Sequence, residues 1–273
     1  MTDIIRYEHV DISYNGQLVV NDISFNLQAS EILGIVGESG SGKSTLLKAA
    51  LGMLGRDGLV TRGDIYYRGL DLPDISERER QKICGAEIGM IFQQAGNSFC
   101  PIRTVGTQIK EMMAAHGYDN ARLVEQETCE MFTKFGFTEP KRIWQSYPFE
   151  LSGGMQQRVG VAAAMLLKPK ILLADEPTSA LDVTVQKQVI AEMLLARELF
   201  GTAIILVTHN IGVIRAMADT MLVLHQGKMQ EYGPAKDILA NPQSAYTQKL
   251  LAAVPKLRRS AAGYGQAVAS CAS

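Results

Sequence analysis

No run in this sequence approaches the roughly 20 apolar residues that a membrane-spanning helix requires. The longest apolar stretches, around Val159–Leu167, Ile171–Ala174 and Ala203–Val207, are the length of buried helix or strand segments. The N-terminal stretch MTDIIRYEHVD is polar and contains no signal-peptide core. The expectation is a chain that stays in the cytosol and reaches a membrane only through partner subunits. Cysteine is scarce as well: Cys84, Cys100, Cys129 and Cys271 lie far apart with no C-x-x-C pair, the usage expected of reduced thiols. The histidines, His9, His116, His209 and His225, lack metal-ligand spacing. Charge of one sign is also lacking. With 27 Lys and Arg against 28 Asp and Glu, the net charge is −1, which argues against a general nucleic-acid or acidic-lipid binder.

What remains is ample core-forming material. Of 273 residues 47% are hydrophobic, enough for one globular domain with a small subdomain, or at most two domains. Ile4–Val10, Asp11–Tyr14 and Leu18–Leu27 read as strands folded about an Asn15-Gly16 turn, an antiparallel layer. Ile32–Val36 reads as a strand buried on both faces. A Gly/Ser loop and a helix over about Lys43–Met53 follow. Strands are expected over Gly63–Gly69 and Glu87–Phe92, with a short helix within 71–83. From about 104 to 150 the pattern is helical (Gly106–His116, Leu123–Phe135, Pro140–Gln145). Helices over Gly153–Leu167, Val183–Leu199 and Ile211–Met217 then alternate with strands Ile171–Ala174 and Ala203–Val207. A hairpin about Gln226-Gly227 joins Met221–His225 to Met229–Tyr232. The alternation predicts a parallel α/β core. Gly233-Pro234 ends it, and helices near 235–240 and 243–253 follow.

Three segments carry chemistry. Gly37-Glu38-Ser39-Gly40-Ser41-Gly42-Lys43-Ser44, followed by Thr45, matches G-x-x-x-x-G-K-[ST] between a buried strand and a helix. In that setting backbone N–H groups turn inward and meet phosphate at a positive helix end. Lys43 would reach the β and γ phosphates, and the Ser44 hydroxyl would ligate Mg²⁺. Ile171–Ala174 runs into Asp175-Glu176-Pro177. At the carboxyl end of a central strand Asp175 would face the Mg²⁺ site, with Glu176 set to polarise water; alone, the pair is equally an acidic turn. Leu151-Ser152-Gly153-Gly154-Met155-Gln156-Gln157-Arg158 opens a helix, so Ser152 is either a helix cap or part of a second anion-binding end.

The ordered set GESGSGKST, LSGGMQQR, ILLADEP, Ser179-Ala180-Leu181-Asp182 and Thr208-His209 resembles the nucleotide-binding subunit of ABC transporters over roughly residues 4–255. The resemblance implies an α/β fold: a P-loop NTPase core of the RecA-like kind, an N-terminal antiparallel β layer and a helical subdomain inserted at about 94–155. The domain would span 1–258, with short C-terminal helices at about 234–255 and a disordered tail at 259–273. It implies ATP and Mg²⁺ as cofactors, and a head-to-tail dimer in which Ser152, Gly153 and Gly154 of one subunit close over ATP held by Gly37–Thr45 of the other. Tyr14 matches the aromatic that stacks on adenine, and otherwise is a strand aromatic. Gln93 matches the glutamine that touches Mg²⁺ or the lytic water, and otherwise is a polar strand end. His209 matches the histidine that meets the γ-phosphate, and Asp182 the aspartate at the dimer seam, or an N-cap. Lys43, Gln93, Glu176 and His209 then form the hydrolytic set, with Ser44, Gln93 and Asp175 around the metal. Met155 stands where the family commonly has Gln, which leaves the Ser-Gly-Gly segment intact.

Ile91–Pro101, Tyr147–Glu150 and Asn241–Thr247 are similar to segments of the oligopeptide, dipeptide and nickel importers. Gln94-Ala95 replaces Asp-Pro, Cys100 replaces Asn, and Ser244-Ala245 replaces His-Pro. Cys271 is the sole cysteine near the end, so no iron–sulfur cluster is expected. The resemblance implies the ATP-hydrolysing motor of an importer on the cytoplasmic face of the inner membrane. Its partners would be a second ATPase subunit, two transmembrane permease subunits and an extracytoplasmic binding protein, with no nucleic acid. The alternatives are a soluble ATPase of the same type and the motor of an exporter. Translation-type relatives carry two cassettes and repair-type relatives a long coiled coil, and neither is present here.

Overall fold

Two β-sheets and a set of helices are built around the strand that precedes the glycine-rich loop. The computed structural model describes residues 3–93 and 95–253. Gln94, the expected tail at 259–273 and Cys271 lie outside the described residues. The first sheet holds β1 (Asp3–Tyr14), β2 (Gln17–Gln28), β4 (Gly58–Tyr67) and β5 (Leu70–Asp71) in the antiparallel order β2-β1-β4-β5. Asn15 and Gly16, with φ of 50° and 78°, make the left-handed two-residue turn that matches strand twist. The second sheet has the order β10-β9-β3-β8-β7-β6: β3 (Ile32–Val36), β6 (Ile88–Ile91), β7 (Ile171–Asp175), β8 (Ala203–Val207), β9 (Thr220–His225) and β10 (Lys228–Pro234). Its pairs are parallel except β9–β10, the expected hairpin.

Alternation along these strands splits the core in two. Leu33, Ile35, Leu173, Ile205 and Leu222 face the antiparallel sheet and helix α1 (Lys43–Ala50). Ile32, Val36, Leu172, Ala174, Ile204 and Leu206 face the opposite side, where the helices α6 (Gly153–Ala164), α7 (Val183–Phe200) and α8 (Ile211–Met217) pack. Every residue of β3, β7 and β8 is buried, which accounts for their apolar sequences, broken only by Asp175 at the end of β7.

Between β6 and β7 the chain is helical. α3 (Val105–Ala115), α4 (Ala121–Lys134) and α5 (Pro140–Gln145) share a core of Ile109, Met113, Phe132 and Trp144. α2 (Glu77–Ile83) is held by a capping box between Ser76 and Glu79. α9 (Ala235–Ala240) and α10 (Ala245–Ala252) close the described chain.

Three boundaries differ from expectation by three residues or more. α1 ends at Ala50, not Met53, because Gly52 turns left-handed with φ 65°. α6 stops at Ala164, not Leu167, and Lys168 at φ 51° leads into β7. β4 begins at Gly58, not Gly63, and passes through Gly63 at φ 76°. A β-carbon on Gly63 would sit 2.2 Å from the Glu8 carbonyl, so this glycine lies within β4 opposite a bulge in β1, where His9 and Val10 oppose the one residue, instead of starting the strand.

Candidate functional site

The loop from Gly37 to Gly42 leaves β3 and enters α1, the strand–loop–helix order that the spacing predicts. Its course depends on glycine. A β-carbon on Gly37 would lie 2.0 Å from the Leu224 carbonyl oxygen, and one on Gly42 would lie 2.9 Å from the Val20 side chain. The turn of the β9–β10 hairpin backs the loop, with Gly227 N–H donating to Ser41 O at 3.1 Å. α1 has no side chain capping its N-terminus. Its first-turn amides therefore lack partners within the helix, at the end where the helix field is positive. Ser41 Oγ is buried with no protein partner. Unsatisfied donors around a positive helix end fit a polyphosphate anion.

Lys43 is buried, 6% exposed, yet its ammonium stays inside the loop, donating to Gly37 O at 2.9 Å and Glu38 O at 2.7 Å. Burial lowers its pKa, while the charges of Glu176, Asp175 and Glu38 pull it back up. These carboxylates converge on the lysine from two parts of the sequence. Ser44 Oγ donates to Asp175 Oδ1 at 2.7 Å, joining the first turn of α1 to the end of β7. A hydroxyl and a carboxylate in contact form an oxygen donor set suited to a hard divalent cation.

Glu176 follows β7 and adopts a left-handed backbone, φ 48°, a conformation costly for a residue with a β-carbon. Its N–H is held by Val207 O at 2.9 Å. β7 and β8 run parallel with Asp175 beside Val207, so the residues after each strand emerge together. His209 Nδ1 thereby lies 3.0 Å from Glu176 Oε1. β6 lies on the other side of β7 with Ile91 beside Ala174. That register carries Gln93, exposed just past β6, toward the same strand ends.

The remaining expected residues sit apart. Among the described residues no hydrogen bond joins Tyr14, Gln93, Ser152, Gly153, Gly154 or Asp182 to the Gly37–Thr45 loop. Tyr14 ends β1, partly exposed, with its ring against Gly58. Ser152 caps α6, accepting from Met155 N–H at 3.3 Å. A β-carbon on Gly153 would meet nothing within 4 Å, whereas one on Gly154 would lie 2.7 Å from Val185. Asp182 caps α7, accepting from Thr184 N–H at 2.9 Å and Val185 N–H at 3.0 Å. The neighbouring Val183 is 67% exposed.

Two anchoring contacts have no spacing signature in the sequence. Arg158, in the segment after Ser152-Gly153-Gly154, pairs with the buried Glu192 of α7, donates to Phe135 O at 2.8 Å and lies over the Phe137 ring. Tyr246 of α10 accepts from Glu38 N–H at 3.3 Å. Nothing local marks either contact. The sole sequence signal is an arginine and a glutamate on apolar helices.

A sequence-family model for the ABC transporter family matches residues 20–179. The oligopeptide transport ATP-binding protein OppD of Salmonella typhimurium is 42% identical over 239 residues, 87% of this chain and 71% of the relative. The dipeptide transport ATP-binding protein DppD of Escherichia coli is 40% identical over 87% of this chain and 72% of its own length. The metal-staphylopine import system ATP-binding protein CntD of Staphylococcus aureus is 37% identical over 93% of this chain and 94% of its own. Among solved structures, cbiO1 from Clostridium perfringens has the same fold, with a TM-score of 0.77 at 24% identity over 88% of this chain and 92% of that one. The ATP-binding cassette MJ0796, solved as a dimer in a post-hydrolysis state bound to ADP and Pi, gives 0.73 at 27% identity over 85% and 98%. With a glycine-built anion loop, a buried lysine and a carboxylate–histidine pair at adjacent strand ends, the chain belongs to the ABC transporter family, among its ATP-binding, ATP-hydrolysing subunits.

Proposed function

We propose that this subunit binds Mg-ATP on the Gly37–Thr45 loop and hydrolyses it as the motor of an importer for peptides or metal chelates. The observation that carries the reading is the uncapped N-terminus of α1 with Lys43 folded beneath it and the Ser44–Asp175 hydrogen bond alongside. Loop amides and Lys43 would hold the phosphates, and Tyr14 would stack on adenine. Ser44 and Asp175, with Gln93, would hold Mg²⁺, which neutralises phosphate charge when bound. Glu176 accepts the proton of the attacking water, and His209, in contact with it, orients that carboxylate and meets the γ-phosphate. The strained backbone of Glu176 fixes the carboxylate's direction before substrate arrives.

Ser152, Gly153 and Gly154 complete the site on a second subunit, like or unlike this one, so that one nucleotide joins two protomers and Asp182 lies at the seam. The exposed position of Ser152 and Gly153 at the start of α6, with open space around Gly153, supports this role. A nucleotide that binds the closed pair more tightly than the open one shifts the population toward closure, and hydrolysis reverses it. The helices α3–α5 would form the inserted subdomain that receives two permease subunits, with cargo delivered by an extracytoplasmic binding protein. Among the described residues no helix is long and apolar enough to cross a membrane, which suits a peripheral subunit at the cytoplasmic face.

The peptide or metal-chelate cargo rests on the relatives named above, which are peptide and metal-staphylopine systems. Affinity purification of the tagged chain from detergent-solubilised membranes tests the assembly. Recovery of two integral membrane proteins and an ATPase subunit is expected; recovery of the chain alone, without membrane partners, would overturn the transporter assignment.

A further inference from the structure

We infer that Tyr246, on the C-terminal helix α10, is a positioning residue for the nucleotide site, setting the peptide unit on which Lys43 rests. This inference rests on the proposed role of the Gly37–Thr45 loop. Gly37 C=O and Glu38 N–H belong to one peptide group. The carbonyl accepts from Lys43 Nζ at 2.9 Å, and the N–H donates to Tyr246 Oη at 3.3 Å. In a trans peptide those two groups point in opposite directions, so the lysine and the tyrosine hold the same plane from its two sides. Lys43 also donates to Glu38 O at 2.7 Å. A rotation of the 37–38 peptide would therefore move the carbonyl that supports the ammonium.

Tyr246 is itself held in place. Its ring stacks on His225 with centroids 3.9 Å apart and planes 23° from parallel. His225 ends β9, directly before the turn whose Gly227 N–H donates to Ser41 O, so ring and turn back the same loop. α10 has no capping side chain at Ser244. The Glu231 carboxylate of β10 acts instead, accepting from Gln243 N–H at 2.9 Å and Ser244 N–H at 3.2 Å at the helix start. The C-terminal element, 208 positions from Glu38 in sequence, is thus tied to the sheet beside the loop and presents one phenol oxygen to it. Ordering the loop before nucleotide arrives lowers the conformational cost of binding.

Tyr246→Phe removes the phenol oxygen and keeps the ring on His225. Titration of the purified full-length chain with a fluorescent ATP analogue and Mg²⁺ should show affinity reduced on the order of threefold to tenfold, the worth of one hydrogen bond. The nucleotide-free melting temperature should stay at the parent value, and in the assembled transporter the loss should fall on KM for ATP more than on kcat. Parent-like affinity in Tyr246→Phe would overturn the inference. So would a weakening matched by a fall in the nucleotide-free melting temperature, since that is what a purely structural role predicts. A parent chain that fails to bind the analogue would instead sink the proposed function.

Discussion

His209 Nδ1 lies 2.9 Å from Glu176 Oε2, although 33 residues separate the two in sequence. The contact follows from parallel pairing of β7 and β8, which brings the residues after both strands to one edge. Glu176 is the more enclosed partner, its side chain 18% exposed against 66% for His209. The Glu176 backbone is thus tied to β8 through Val207 O, and its carboxylate meets an imidazole on the solvent side.

Glu176→Gln keeps size and hydrogen bonding but removes the proton acceptor. Its ATPase rate should fall by roughly a hundredfold to ten-thousandfold, the usual contribution of a positioned base, while ATP affinity is retained. A steady-state phosphate-release assay beside a binding titration checks this, and parent-rate hydrolysis would remove Glu176 from the reaction.

Ser152→Ala and Gly153→Ala separate capping from pairing. Loss of the Ser152 cap should cost about 1 kcal/mol of stability. Gly153→Ala places a methyl where nothing lies within 4 Å, so the isolated subunit should melt at or slightly above the parent temperature. Both variants should nonetheless lose ATP-driven pairing in size-exclusion chromatography. Normal pairing by Gly153→Ala would mean that this segment does not close over nucleotide.

The pair of Arg158 and Glu192 makes stability depend on pH. Burial of Glu192 pushes its carboxyl up to about 7, against the opposing pull of Arg158. Between its unfolded value, near 4.5, and about 7 the folded chain then binds more protons than the unfolded one. The contribution of this group is therefore full below the lower value and is lost as pH rises through the upper one. Glu192→Gln should flatten that part of a melting profile taken from pH 5 to pH 8; a profile superimposable on the parent's would contradict it.

Much of this site is legible in the sequence because its chemistry is written in backbone requirements. A loop that must turn past Leu224 O needs glycine at Gly37, and a strand buried on both faces reads as an apolar run, as over Ile171–Ala174. The helix caps at Ser152 and Asp182 are equally local, each satisfied within three residues. What stayed hidden depends on register and long-range packing. The β4 start at Gly58 is obscured by Gly63, which looks like a strand end but lies inside the strand, opposite a bulge in β1. The contacts of Arg158 with Glu192 and of Tyr246 with Glu38 join segments that no spacing rule connects, so they emerge once the helices have docked.

Gly37→Ala tests the close packing behind the loop. A β-carbon 2.0 Å from the Leu224 oxygen forces β3 and β9 apart or tilts the loop. A stability loss of about 1–3 kcal/mol is expected from such overpacking. Nucleotide binding should fall with it, and a denaturant melt followed by titration reads both.

The most direct measurement is calorimetric titration of the full-length chain with ATP, with and without Mg²⁺, beside Lys43→Ala. Saturable binding by the parent, strengthened by the metal, is expected, with at least about tenfold weaker binding once the lysine's charged hydrogen bonds are gone. Equal affinity in parent and variant, or no heat of binding in the parent under any condition, would contradict the proposed function.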